Sequence, residues 1–212
     1  MPIYQTEKLV CQEYNRLAPI YDTRWHNYLD RSLSFLLDFA EIPLQASILD
    51  LACGTGELTR KILEKNPQQA ITGVDISPAM LEIAKDKLEA YPQVKLFNAS
   101  VTALPFDSQS FDLVICANAF HYFQSPQLAL VEMKRLLKAQ GKLIILDWCR
   151  DYFVLRVLTH LFRFIDPAYQ RCYTQRELEQ LSIAAGFNVV KDSKVRFDFI
   201  WELIAIVVKR EL

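Results

Sequence analysis

A chain of 212 residues that is 51% hydrophobic and 23% charged is long enough to bury a full core and too apolar to be disordered. Its net charge of −1, with no basic run, lacks the positive face of nucleic-acid binders, so DNA or RNA is not the expected partner. The chain opens without a charged-then-apolar leader and holds no apolar run near the ~18 residues of a membrane helix, so a cytoplasmic protein with at most peripheral membrane contact is expected.

Apolar and aromatic positions recur at three- and four-residue steps over residues 6–39, which predicts a helical cap at about 1–45, punctuated by Pro19 and Pro43. Strands and helices then alternate. Strands are predicted at 47–51, 71–75, 94–98, 111–117 and 142–148, and helices at 57–66, 78–90 and 126–138. The strands are short apolar runs of the kind buried on both faces of a parallel sheet. Ser77 before Pro78 and Ser125 before Pro126 read as N-caps. An apolar stripe from Phe153 to Ile165 reads either as a helix packed on the sheet or as a lid, about 150–173, beside a ligand cleft.

Thr174-Gln-Arg-Glu177 matches a capping box and Gly186 closes the helix it starts. Strand-like runs at 187–197 and 199–209 follow, and so short a link joins only antiparallel strands. The predicted fold is therefore α/β: a doubly wound, mostly parallel seven-stranded sheet with a C-terminal antiparallel hairpin, in a single domain over 1–212.

The most informative local pattern is the turn after the first strand. Asp50 precedes Ala52-Cys53-Gly54-Thr55-Gly56, and Asp75 ends the second strand. Glycines admit a ligand to the backbone, and an acid at the next strand end is placed to accept ribose hydroxyls, which together describe an adenosine cleft. NAD, FAD, ATP and S-adenosylmethionine all carry that group. A pyrophosphate wants a third glycine or a lysine–hydroxyl pair, whereas Thr59 holds the third position and no such pair follows. Asp50 would repel phosphate and welcome a cation, which favours S-adenosylmethionine. The five cysteines form no CxxC pair, so no metal site is expected, and Cys53 reads as a small side chain packed under the turn.

Asp50-Leu-Ala-Cys-Gly-Thr-Gly, Gly73-Val-Asp-Ile-Ser-Pro-Ala-Met-Leu, Leu104-Pro-Phe with Ser110-Phe-Asp-Leu-Val, and Leu137-Lys-Ala-Gln-Gly-Lys-Leu resemble a class I S-adenosylmethionine-dependent methyltransferase. Tyr14-Asn-Arg-Leu-Ala-Pro-Ile-Tyr-Asp22 is similar to the opening of the ubiquinone and menaquinone biosynthesis C-methyltransferases and the methyltransferase type 11 group. The resemblance implies that Gly54 and Gly56 leave room for the methionine part, whose ammonium meets carbonyls near Asp50 and Ala52. It implies that Asp75 holds the ribose and that Ile76 and Met80 pack on adenine. The resemblance implies an Asp, common among relatives, where Ser100 stands, so here the Ser100 hydroxyl or the Val101 backbone would take the adenine amino group. Asn118 would lie beneath the methionine part, and Tyr21 near the sulfonium, where an aromatic face offers about 0.5–2 kcal/mol.

His121, just past the fourth strand, is the candidate base, with a pocket-shaping loop histidine as the alternative. Trp25, Tyr122 and Trp148 would line an aromatic acceptor site and Arg150 would steady a developing oxyanion, with plain packing the alternative for each. His26 and His160 read as surface or lid residues. The implied activity is methyl transfer to a small apolar or aromatic acceptor, by C- or O-methylation. A cofactor-binding module without catalysis and a nicotinamide-dependent reductase are the competing readings.

Overall fold

The computed structural model describes residues 5–152, 155–156, 166, 168–197 and 201–211. Helices α1 (Gln5–Leu17) and α2 (Tyr21–Ala40) are joined by a 3-10 turn, Ala18–Ile20, in which Pro19 occupies a first-turn position that needs no N–H donor. The chain then runs β1 (Ile48–Leu51), α3 (Glu57–Lys65), β2 (Ile71–Asp75), α4 (Pro78–Lys87), β3 (Lys95–Asn98) and β4 (Phe111–Ala117). It continues through α5 (Pro126–Leu136), β5 (Leu137–Trp148), α6 (Gln175–Ala184), β6 (Phe187–Arg196) and β7 (Glu202–Arg210).

All seven strands share one sheet in the order β3-β2-β1-β4-β5-β7-β6. β1 to β5 pair in parallel, whereas β7 lies between β5 and β6 and is antiparallel to both. Side chains alternate between two buried layers. Leu49, Leu51, Val114 and Ile145 meet Leu130 and Met133 of α5 on one face. Ile48, Leu113, Ile115 and Ile144 meet Leu36 of α2 and Leu63 of α3 on the other. Covering both faces is what makes the central strands read as unbroken apolar runs.

The capping predictions divide. Ser77 accepts from the Met80 N–H at 3.2 Å. Thr174 and Glu177 complete a capping box, each side chain taking the other's backbone N–H. Ser125, by contrast, makes no side-chain cap bond.

Strand expectations need two corrections. β3 is the sheet's edge and only half-buried, because among the described residues no further strand pairs with it. β5 begins at Leu137 rather than at residue 142. Leu137 pairs with Phe111 and Lys142 with Leu113, so residues 138–141 bulge between two paired positions.

Of the expected lid stripe, Phe153, Val154, Val157, Leu158, Leu161, Phe162 and Ile165 lie outside the described residues, as do His160 and residues 198–200. Among the described residues no helix is long and apolar enough to cross a membrane.

The turn into α3 is conformationally demanding at Gly56, whose φ of 76° lies in the left-handed region. A Cβ there would sit 2.9 Å from Leu88 Cδ1 and 3.2 Å from Ala84 Cβ at the end of α4. Gly56→Ala is therefore expected to cost about 2 kcal/mol or more, from left-handed strain plus overpacking. A urea midpoint unchanged from the parent chain would contradict this.

Candidate active site

The carboxyl ends of β1, β2 and β4 open onto one cleft, with about 870 Å³ of empty space that continues into solvent. Its floor is the β1–α3 turn. Ala52 and Asn118, the residues just after β1 and β4, both adopt left-handed backbone (φ 59° and 58°), a conformation costing about 1–3 kcal/mol where a side chain is present. Gly54 continues the bend at φ 54°, and a Cβ built on it would meet nothing within 4 Å. The space over Gly54 is thus open to a ligand, whereas Gly56 faces α4. The two glycines expected to share one role serve different ones.

Asp75, at the end of β2, locks this turn. Its Oδ2 accepts the Gly54 N–H and its Oδ1 the Ser77 N–H, both at 2.8 Å. Burial pushes its pKa up, against the opposing pull of those N–H groups. Each oxygen keeps a lone pair for a hydroxyl donor on the cleft side. Asp50 lies beneath, lining a recess of about 380 Å³ together with Ala52, Gly54 and Tyr21. Its Oδ2 accepts from Thr59 Oγ1 at 2.8 Å, and burial raises it to about 7. Thr59, which fills the third glycine position, therefore holds the acid under the turn. A knot of polar contacts ties α2 to the same turn: Asp22 accepts from Thr55 Oγ1 and Lys87 Nζ, both at 2.6 Å.

A second cavity, about 1090 Å³, adjoins the first. Tyr14, Tyr21, Asn118 and Tyr122 border both, forming a partition. Beyond it the lining is aromatic at Trp25, Tyr28, Trp148, Tyr169 and Trp201 and charged at Glu13, Arg16, Arg24 and Asp166. His121 is 2% exposed and lies in this wall. Its Nδ1 is 2.6 Å from Asp147 Oδ1, and its backbone N–H donates to Asp147 Oδ2 at 2.7 Å. The ring stacks on Trp148 at 4.2 Å and 12°. Nε2 is buried with no partner among the described residues. An imidazole fixed at Nδ1 and unpartnered at Nε2 keeps one nitrogen able to accept a proton. Nearby, Tyr122 donates to Asp166 at 2.8 Å, and Trp148 Nε1 donates to Tyr28, which donates to Asn118.

The structure brings Tyr21, Ala52, Gly54, Asp75, Ile76, Val101 and Asn118 to the first cleft, and Trp25, His121, Tyr122 and Trp148 to the second cavity. It departs from expectation at four positions. Met80 is fully buried in the core and lines neither cavity, because α4 turns that face inward. Gly56 is set aside by its packing. Arg150 is bound by both oxygens of Glu177, at 2.8 and 2.9 Å, and so faces α6 rather than an acceptor. Ser100 lies behind Glu7, to whose Oε1 it donates at 2.6 Å.

Glu7, Tyr14 and Asp147 were missed. Asp147 left a signal, as the one acid ending an otherwise apolar run, residues 143–146. Glu7 left none, since only docking of α1 brings it near β3.

Open space over Gly54, an acid positioned for ribose and a buried acid near the turn suit a cofactor with an adenosine arm and a cationic tail. A family described as "Methyltransferase domain" matches residues 48–141. The chain is 32% identical over 207 residues to a demethylmenaquinone methyltransferase of Thermus thermophilus, covering 83% of this chain and 91% of that protein. It is 30% identical over 203 residues to a 2-phytyl-1,4-naphtoquinone methyltransferase of Thermosynechococcus vestitus, covering 84% of this chain and 90% of that one. In fold it is similar to magnesium protoporphyrin IX methyltransferase from Synechocystis with bound S-adenosylhomocysteine, at a TM-score of 0.75 and 15% identity, covering 98% and 100% of the two chains. These relationships set aside the nicotinamide reductase and the non-catalytic module. The chain belongs to the class I S-adenosylmethionine-dependent methyltransferases, enzymes that take their methyl group from that cofactor.

Proposed function

We propose that the first cleft holds S-adenosylmethionine and that the aromatic cavity takes a phenol- or hydroquinone-like acceptor, with His121 as general base. The observation that carries this reading is the unpartnered Nε2 of His121 in the aromatic wall. Relatives named for menaquinone and naphtoquinone substrates support the acceptor class. We further propose that residues 1–212 act as one unit, with α1 and α2 as its cap. Five cysteines, all thiols, support a reducing cytoplasmic setting.

Bound in the cleft, the cofactor supplies a methyl group on a positively charged sulfur. Asp75 would accept the ribose hydroxyls, Ile76 and Val101 would pack on adenine, and carbonyls near Asp50 and Ala52 would meet the ammonium. Tyr21 and Asn118, in the partition, would flank the methionine part. The tyrosine partition and the tryptophan rings would hold a flat acceptor in place, which favours close positioning.

Asp147 holds the His121 ring in the tautomer that leaves Nε2 an acceptor. Nε2 takes the acceptor's hydroxyl proton, and the oxygen or an adjacent ring carbon becomes electron-rich enough to receive the methyl group as its bond to sulfur breaks, leaving S-adenosylhomocysteine; after attack by carbon, the hydrogen on that carbon leaves as a proton and the oxygen regains one, restoring the aromatic hydroxyl. The same base thus serves O- and C-methylation.

His121→Ala is expected to slow turnover of a weakly acidic phenol about 10²–10⁴-fold, and to slow a phenol already ionised at the assay pH far less. Asp147→Asn should shift the pH profile of kcat rather than KM. Equal turnover of parent and His121→Ala at saturating acceptor would remove the base assignment.

Gly54→Ala should cost only about 1 kcal/mol of stability, since its Cβ meets no protein atom, yet weaken S-adenosylhomocysteine binding more than 10-fold. Calorimetry showing parental affinity would place the ligand elsewhere.

Asp50 makes binding pH-dependent. Its carboxyl stands at about 7 in the folded chain against an ordinary 3.8, so between those values the folded state holds the extra proton and ligand-free stability falls as pH rises. A nearby ammonium favours the ionised form, so binding below pH 7 expels that proton. Affinity for S-adenosylhomocysteine should fall by up to ~10-fold per unit from pH 7 to 6. Asp50→Asn should abolish that slope, and an identical slope in the variant would sink the assignment.

A further inference from the structure

Two carboxyl groups line the first cleft, those of Asp75 and Glu7. Asp75 belongs to the sheet. Glu7 comes from α1, a helix with no buried residue, which is held over the cleft by polar contacts. Asn15 Oδ1 accepts from Ser77 Oγ at 2.7 Å and from the Ala79 N–H at 3.2 Å, and the Cys11 thiol reaches the Ile76 carbonyl at 3.3 Å. At the far end of the helix, Glu7 Oε1 accepts from Ser100 Oγ at 2.6 Å. Ser100 is itself fixed, for its Oγ accepts the Thr102 N–H at 3.2 Å and lies 2.9 Å from Thr102 Oγ1.

This chain of contacts aims a carboxyl group at the part of the cleft lined by Ile76, Val101 and Thr102. Among the described residues the second oxygen of Glu7, Oε2, has no partner. A buried-edge carboxyl beside apolar walls calls for a hydrogen-bond donor carried on a flat apolar group. Adenine offers one, its exocyclic amino group.

We infer that Glu7 is the acceptor for the amino group of the cofactor's adenine, and that α1 thereby sets base specificity in a site otherwise built on the sheet. The inference rests on the placement of the ribose at Asp75 proposed above. Ser100 acts as the positioning residue, spending its hydroxyl on Glu7 instead of on the ligand.

Isothermal titration of the parent chain, Glu7→Ala and Glu7→Gln with two ligands tests this: S-adenosylhomocysteine, and its analogue with hydrogen in place of the adenine amino group. The parent should prefer the amino-bearing ligand by about 10- to 100-fold, the range for a hydrogen bond to a charged group. Glu7→Ala should bind both ligands alike, at the level of the analogue on the parent. Glu7→Gln keeps a carbonyl acceptor and should retain a preference of about 5-fold. A preference in Glu7→Ala equal to the parent's would overturn the inference. So would equal weakening of both ligands, which would mark Glu7 as a mere tether for α1. If the parent binds neither ligand, the cofactor placement itself fails, and that outcome is distinct because it appears before any variant is compared.

Discussion

The bond from the Gly54 N–H to the Asp75 carboxyl, 2.8 Å long, is the constraint on which the rest of the site depends. It joins the turn after β1 to the end of β2 and so holds three consecutive features in place: the left-handed Ala52, the open face of Gly54, and the entry to α3 at Gly56. Each is unfavourable or permissive alone. Together they leave a backbone surface that no protein atom covers at Gly54. The strain at Ala52 persists because parallel pairing of β1 with both β2 and β4 leaves the chain no other exit.

That geometry also settles the electrostatics. Asp50 and Asp75 are buried close together, and burial raises both above the usual carboxylate range. Backbone N–H groups compensate Asp75, while Thr59, through its hydroxyl and its backbone N–H, compensates Asp50. The pair is therefore short of positive charge, a condition that a cationic ligand relieves and a pyrophosphate worsens. The glycine count had pointed to the same ligand from the opposite direction, by what a phosphate would need.

The chemistry beyond the cofactor cleft depends on elements that the sheet does not supply. Tyr14 and Tyr21, from the N-terminal helices, meet Tyr122 from the segment after β4 to wall one cavity from the other. Asp147 lies near the end of β5, and the 3-10 turn Phe120–Tyr122 that follows the neighbouring β4 brings His121 onto it. The sheet thus supplies the first cleft, while the N-terminal helices and the strand ends shape the second cavity.

Alternating apolar runs, proline-led helix starts, the Thr174 capping box and the glycine turn could all be read from the amino-acid order, because each reflects backbone preferences acting over a few residues. The acids at 50 and 75 were legible for the same reason, as breaks in apolar strands. The order of the strands beyond simple alternation was not: β7 enters between β5 and β6, and β3 is left at the edge. Nor was it legible that Met80, Gly56 and Arg150 would turn away from the site, since that depends on which helix face packs inward and which carboxylate lies within reach. Sequence by itself determined the class of fold and the position of the glycine turn and the two acids that line the cleft. Only tertiary structure decided which side chains meet around the two cavities, as with Glu7 and Ser100, 93 residues apart, or Tyr28 and Asn118, 90 apart. Local conformational energies act between near neighbours in the chain, whereas those meetings arise from the packing of whole elements.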